Sequence, residues 1–252
     1  MTRTGEQWAA KVPQVTLGFW AIKVAATTLG ETGGDAVSMS MGWGYLPATA
    51  LFAAVFAALV WAQVRAARFH PFLYWATIIA STTVGTTLAD YATRSLGIGY
   101  PGGSLLLLGL LAGSIAWWKL RLGTVSVESV ASPASEGHYW LTIACSQTLG
   151  TALGDWVADT GGLGYAGGIA IFGGTLVLVA ALHARRAIPA TVAFWLAFVL
   201  TRPFGAVLGD FLDKPLADGG LALSRFGASA VLLAGIVAGV LWLPQRPARR
   251  PH

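Results

Sequence analysis

Residues 19–35 of the chain read FWAIKVAATTLGETGGD, and three further segments align with this one without gaps. They are YWATIIASTTVGTTLAD at 74–90, YWLTIACSQTLGTALGD at 139–155 and FWLAFVLTRPFGAVLGD at 194–210. Each begins with an aromatic residue and a Trp, carries a Gly ten residues after that Trp, and ends with an Asp fifteen residues after it. Self-similarity of this kind indicates a repeat architecture, so the sequence predicts four copies of one unit.

The spacing of the repeats shows how the units are grouped. Their Trp residues are Trp20, Trp75, Trp140 and Trp195, so consecutive spacings are 55, 65 and 55 residues. The extra residues fall in the polar stretch 123–137, whose Ser, Ala and Pro content is typical of a linker. We therefore expect an N-terminal half at 1–122, a cytoplasmic linker at 123–137, and a C-terminal half at 138–252 that ends in a basic tail.

The composition is that of an integral membrane protein. Hydrophobic residues make up 55% of the chain and charged residues only 11%, with a mean hydropathy of +0.65. Soluble domains are about 25% charged, so an ordinary soluble domain is excluded, and disorder needs low hydrophobicity. The net charge of +5 comes from basic residues in predicted loops, and no nucleic-acid partner is expected.

Each unit contains two apolar runs, which predicts an all-α membrane protein with eight transmembrane helices. The first runs lie near 13–34, 72–93, 138–158 and 189–212, and the second at 46–64, 103–118, 166–182 and 226–243. Runs of roughly 16 to 22 residues can cross a hydrocarbon core about 30 Å thick. The first run lacks a cleavage site and is read as a retained helix. Two spans per unit make the four units parallel, in a pseudo-fourfold or nested twofold arrangement.

The basic residues predict the orientation in the lipid bilayer. Three of them, Arg94, Lys214 and Arg225, fall on one side, and eleven fall on the other. The positive-inside rule then places both termini on the cytoplasmic side of a bacterial inner membrane. The sequence leaves open whether the protein forms a homo-oligomer. The eleven are Arg3, Lys11, Arg65, Arg68, Lys119, Arg121, Arg185, Arg186, Arg246, Arg249 and Arg250.

The fourfold pattern, from about Trp20 to Trp242, resembles a bacterial membrane-protein family built from four tandem two-helix repeats, each with a Trp, and known as a repeat of unknown function. The resemblance implies an integral membrane protein and no particular activity. The four Trp residues themselves are expected to act as anchors at the membrane interface.

A stripe of polar residues runs along the first helix of each unit, at positions 8, 11 and 15 residues after the Trp. These offsets share one helix face. An intramembrane carboxylate costs at least about 2.5 kcal/mol, so the acids are expected to face the bundle interior as ion-binding residues, although they could instead be solvated near the outer interface. The stripe contains Thr28, Glu31 and Asp35; Thr83, Thr86 and Asp90; Thr148, Thr151 and Asp155; and Pro203, Ala206 and Asp210.

This stripe predicts a transporter of a small cation. Oxygen ligands from Glu31 and the four repeat Asp residues suit a hard divalent metal such as Mn²⁺, and clustered carboxylates favour coupling to protons. Lys23 and Arg202 also lie in apolar runs and are expected to act as counter-charges or gating groups. The alternative is a membrane scaffold or sensor. No nucleophile–base pair or phosphate-binding loop is found, so neither an enzyme nor a cofactor is expected.

Overall fold

The protein is an all-α bundle in the computed structural model, which describes residues 10–248. The chain termini, predicted to be cytoplasmic, lie outside these residues. The same is true of Arg3, Arg249 and Arg250. The eight long helices are α1 (Leu17–Asp35), α2 (Tyr45–Arg65), α3 (Pro71–Asp90), α4 (Gly99–Leu122), α5 (Pro133–Asp155), α6 (Gly164–Ala184), α7 (Ala190–Asp213) and α8 (Arg225–Trp242). They coincide with the eight predicted apolar runs. The segment between the halves is shorter than predicted, because 133–137 form the beginning of α5.

Six of these helices are long and apolar enough to cross a membrane, which is typical of a multi-pass membrane protein. They are α2, α3, α4, α6, α7 and α8. The other two, α1 and α5, carry more polar residues but are largely buried among their neighbours. The outer helices expose large apolar side chains instead: Leu105 is 69% exposed, Val177 70% and Val231 74%. An apolar surface of this extent fits contact with lipid.

The odd-numbered helices form a closed ring. Helix α1 packs against α3, α3 against α5, α5 against α7, and α7 against α1. Each even-numbered helix packs outside the ring on one of these helices: α2 on α3, α4 on α5, α6 on α7 and α8 on α1. The second helix of every unit therefore covers the first helix of the following unit, and the fourth unit covers the first.

The repeat glycines permit the ring helices to pack closely. In all four units, the Gly ten residues after the Trp faces the residue seven positions after the Trp of the next unit. A Cβ atom on Gly85 would lie 2.9 Å from the backbone carbonyl carbon of Gln147, closer than atoms can approach without displacement. By contrast, Gly109 and Gly113 on α4 have open space where a Cβ atom would lie, so they take no part in close helix packing among the described residues. The four pairs are Gly30–Thr82, Gly85–Gln147, Gly150–Arg202 and Gly205–Thr27.

One end of the ring, which we term the Trp end, is filled by aromatic side chains. Trp75 and Trp140 are 1% and 2% exposed, and the indole of Trp195 donates a hydrogen bond to the carbonyl of Val125. The prediction that the repeat Trp residues anchor the protein in the membrane interface is wrong for these three. The neighbouring residues Phe19, Tyr74, Tyr139 and Phe194 are also buried, and they close this end of the ring.

The segments that flank the bundle pack beneath the Trp end. Residues 10–14 pair with Arg246 and Ala248 through backbone hydrogen bonds. Lys11 is buried, with its Nζ atom 2.7 Å from Glu136 Oε1 and within hydrogen-bonding distance of the carbonyl of Val64. Lys11 is thus an internal ion-pair partner, in contrast to the surface loop charge expected of it.

The opposite end, the Asp end, has the same backbone form in three units. A single π-helical turn follows the repeat Asp, at Ala36–Ser40, Tyr91–Ser95 and Trp156–Thr160. A Gly-x-Gly turn then begins the next helix, and both of its glycines have positive φ, as at Gly42 and Gly44. In the fourth unit α7 instead continues as an α-helix to Asp213.

Candidate functional site

The four repeat Asp residues form one buried layer across the Asp end of the ring. Their exposed fractions are 1% for Asp35 and Asp90, 2% for Asp155 and 4% for Asp210. Each one lies at or near the end of a ring helix, and the ring contacts bring the four helices together at equal offsets. The structure therefore places these carboxylates inside the bundle and not in solvated loops.

Arg94 joins the carboxylates of α3 and α5. Its Nε atom lies 3.0 Å from Asp90 Oδ1, and its Nη2 atom lies 3.2 Å from Asp155 Oδ2. The Arg94 side chain is 33% exposed, so this ion-pair cluster reaches the surface of the Asp end. A further carboxylate, Asp159, lies 4.0 Å from Arg94 Nη2.

Lys214 joins the carboxylates of α1 and α7 in the same way. Its Nζ atom lies 3.3 Å from Asp35 Oδ2 and 3.1 Å from Asp210 Oδ1. Arg225, at the start of α8, adds a contact of 3.6 Å to Asp35 and one of 2.6 Å to Asp213. The four repeat carboxylates are therefore divided into two pairs, each joined by one basic side chain.

Glu31 lies one turn deeper than Asp35, at the centre of the ring. Its Oε2 atom is 2.9 Å from Nη2 of Arg202, which is fully buried. The same Nη2 atom donates to the hydroxyl of Thr86 at 2.6 Å and to that of Thr151. One guanidinium nitrogen thus contacts polar groups from the three other ring helices, which makes Arg202 the counter-charge of Glu31.

The α1 and α7 side of the Asp layer has the geometry of a cation site. Among the described residues, Glu31, Asp35 and Asp210 each offer a carboxylate oxygen within 4.8 Å of the other two. In addition, one buried oxygen of Asp35 has no hydrogen-bond partner within the described part of the chain. Three carboxylates at this separation are suitable ligands for a hard divalent cation.

The charges of the Asp layer are not balanced. Five Asp carboxylates with buried side chains face only three basic side chains, which leaves a formal charge of −2 if all groups are ionised. The count omits Asp159, whose side chain is 41% exposed. One divalent cation would neutralise this excess. The five acids are Asp35, Asp90, Asp155, Asp210 and Asp213, and the three bases are Arg94, Lys214 and Arg225.

The predicted threonines separate into two groups. Thr86 and Thr151 lie at the centre of the ring beside Arg202, as described above. Thr28, Thr83 and Thr148 are buried, but each donates its hydroxyl to a carbonyl four residues earlier in its own helix. Their hydrogen bonds therefore link them to their own helices and not to the acidic layer. The side chains that face the interior of the ring are instead those 7, 11 and 15 residues after the repeat Trp.

The three basic partners of the Asp layer were not predicted from the sequence. Arg94, Lys214 and Arg225 served only to predict the orientation. The spacing does contain a usable signal, since Arg94 follows Asp90 by four residues and Lys214 follows Asp210 by four residues. Opposite charges at this spacing lie on the same face of a helix.

The repeat units of the sequence correspond to a known sequence family. A family model described as a Repeat of Unknown Function (DUF347) matches residues 18–69, 73–124, 138–188 and 193–246. The chain belongs to this family. Each DUF347 repeat comprises one ring helix and the outer helix that follows it, as predicted from the sequence. No curated protein and no solved structure matches the chain.

Proposed function

We propose that this DUF347 protein transports a small cation, with a divalent metal such as Mn²⁺ as its substrate. The observation that carries the proposal is the carboxylate group of Glu31, Asp35 and Asp210, whose oxygens lie within 4.8 Å of one another. The formal charge of −2 in the Asp layer supports a divalent substrate. Carboxylate and hydroxyl oxygens suit Mn²⁺ or Mg²⁺ better than soft metals.

All eight helices are proposed to cross the bacterial inner membrane. The polar helices α1 and α5 are enclosed by their neighbours, which removes most of the cost of their polar residues in lipid. The ring contacts and the recurring glycine pairs support a pseudo-fourfold arrangement of parallel repeats. Basic residues at the Trp end, such as Arg65, Lys119 and Arg185, support a cytoplasmic location for that end.

The cation is proposed to enter from the Asp end, on the outer side of the membrane. Lys214 and Arg94, which lie over the carboxylates, are partly exposed there, at 16% and 33%. The way towards the Trp end is blocked first by the Glu31–Arg202 ion pair and then by the layer of buried aromatic residues. A cation therefore passes only when the ring rearranges, which favours a carrier over an open channel.

Lys214 has a specific part in this proposal as a tethered cation. Its ammonium group bridges Asp35 and Asp210, two of the proposed metal ligands. A metal ion at this position repels the ammonium and takes its place, and the partly exposed side chain of Lys214 has room to move outward. Loss of the metal then allows Lys214, or protons, to neutralise the same carboxylates.

Transport into proteoliposomes tests this proposal. The test variant is Asp210→Asn, and the matched control is Asp155→Asn, which has the same substitution at the same repeat position but lies outside the three-carboxylate group. We expect the Asp210→Asn variant to lose at least tenfold in initial Mn²⁺ flux, while the control keeps most of its flux. Equal flux in wild type and both variants, or wild-type flux no higher than that of empty liposomes, would refute the proposal.

A membrane scaffold or sensor is the second candidate, and one observation favours it. Every repeat Asp already has a basic partner in the structure, as expected of ion pairs that hold the helices together. This function predicts that both Asp→Asn variants lower thermal stability to a similar extent, and that wild-type protein shows no metal flux.

A further inference from the structure

A second group of charged and polar side chains lies on the Trp-end side of Glu31, separate from the Asp layer. Lys23 and Arg202 are both fully buried there. The Lys23 Nζ atom lies 4.2 Å from the centre of the Phe198 ring, one turn before Arg202 on α7. Within the described residues this nitrogen has no hydrogen-bond partner.

Other donors without partners lie about one helical turn further along the ring helices, towards Glu31. Arg202 uses Nη2 for Glu31 and the threonines, but its Nε and Nη1 atoms have no hydrogen-bond partner among residues 10–248. The same holds for the side-chain amide of Gln147 and the hydroxyl of Thr82. Gln147, Thr82 and Arg202 occupy equivalent positions in three repeats, seven residues after the Trp, so the ring contacts place them in one layer.

The chemistry of this layer selects an anion as its partner. A buried polar group without a hydrogen bond is costly, and a buried charge without a partner is more costly still. Glu31 balances the charge of Arg202, whereas Lys23 in its ammonium form adds a positive charge that has no acidic partner among residues 10–248. Water could satisfy the hydroxyl and the amide but would leave that charge unbalanced. A single monovalent anion satisfies both the donors and the charge.

We propose that Lys23, Arg202, Gln147 and Thr82 bind one small monovalent inorganic anion, such as chloride, at the centre of the ring. The donors are an ammonium, two guanidinium N–H groups, an amide NH₂ and a hydroxyl, all of which can point to a spherical acceptor. The anion and the Lys23 ammonium together form a neutral pair, which lowers the cost of a lysine inside the membrane. This site shares no ligand with the proposed metal site, although Arg202 also pairs with Glu31, one of the proposed metal ligands.

Binding of radiolabelled chloride to purified protein, in buffer with gluconate as the only other anion and no divalent metal, tests the proposal. We expect saturable binding of one chloride per chain, and at least tenfold weaker binding in Lys23→Met. The matched control, Lys119→Met, makes the same change at an exposed lysine and is expected to bind as wild type does.

Three outcomes would overturn the anion site: no saturable chloride binding to folded wild-type protein, unchanged affinity in Lys23→Met, or equal loss in the Lys119→Met control. If Lys23→Met fails to fold, Gln147→Leu serves instead, and it is expected to weaken binding severalfold. Asp210→Asn is expected to keep full chloride affinity, so failure of the metal proposal and failure of the anion proposal remain distinguishable.

Discussion

Replacement of Gly85 by Ala is expected to force two ring helices apart. A Cβ atom at this position would lie 2.9 Å from the carbonyl carbon of Gln147 and 3.0 Å from the backbone nitrogen of Thr148, whereas ordinary contacts are 3.4–4 Å. The clash is with backbone, so no side-chain rotation relieves it, and α3 and α5 must separate by about 0.5–1 Å. Overpacking of this kind costs about 1–3 kcal/mol.

Gly113→Ala is the matched control for this substitution. Gly113 lies within α4, is exposed and has open space where the Cβ atom of an alanine would lie, so the change brings only the higher helix propensity of Ala, up to about 1 kcal/mol. The two variants should therefore differ by about 1–4 kcal/mol. At roughly 2–4 °C per kcal/mol for a chain of this size, their melting temperatures should differ by about 2–16 °C.

The 11 Trp residues make intrinsic fluorescence a suitable signal for thermal unfolding in detergent. We expect Gly85→Ala to melt below wild type and Gly113→Ala to melt at or above it. If both variants melt at the same temperature as each other, the close contact between α3 and α5 is not present, and the closed ring of repeats must be abandoned.

Three further predictions concern the polar interior. Glu31→Gln leaves Arg202 buried without a counter-charge and should cost about 3–5 kcal/mol of stability. Glu31→Thr combined with Arg202→Gln introduces the residues found at these positions in other repeats. This double variant should recover much of the lost stability in thermal melts. Tyr74→Phe removes a 2.7 Å hydrogen bond to the Tyr139 hydroxyl and should cost about 1–3 kcal/mol, whereas replacing both by Phe should be nearly neutral in a double-mutant cycle. Lys214→Met should raise the affinity for Mn²⁺ at least threefold in a binding titration, and an unchanged affinity would rule out its role as a tethered cation.

The repeats of the sequence allowed much of the fold to be predicted. Four Trp residues at fixed offsets from a Gly and an Asp gave the number of units, and apolar runs gave all eight helices within a few residues. The order of the helices around the ring was beyond this reasoning, because it depends on contacts between units. The glycine pairs show why: Gly30 has no side chain and so leaves room for the side chain of Thr82, a residue of the next repeat.

The acidic site was only partly predictable from the sequence. Glu31 and the repeat Asp residues were recognised because carboxylates are costly in apolar runs. Their division into two pairs was not recognised, because Arg94 and Lys214 lie beyond the apolar runs and each bridges two different helices. Three of the four repeat Trp residues were misassigned for a related reason: an aromatic residue near a helix end can face lipid or the closed end of a ring, and its sequence position is the same in both cases.

The proposed cation site is best tested by binding of Mn²⁺ to purified protein, followed by electron paramagnetic resonance of the free ion. We expect one bound Mn²⁺ per chain in wild type, at least tenfold weaker binding in Asp210→Asn, and nearly wild-type binding in Asp155→Asn. Absence of Mn²⁺ binding to wild-type protein, or an equal loss of affinity in the two variants, would contradict the three-carboxylate site.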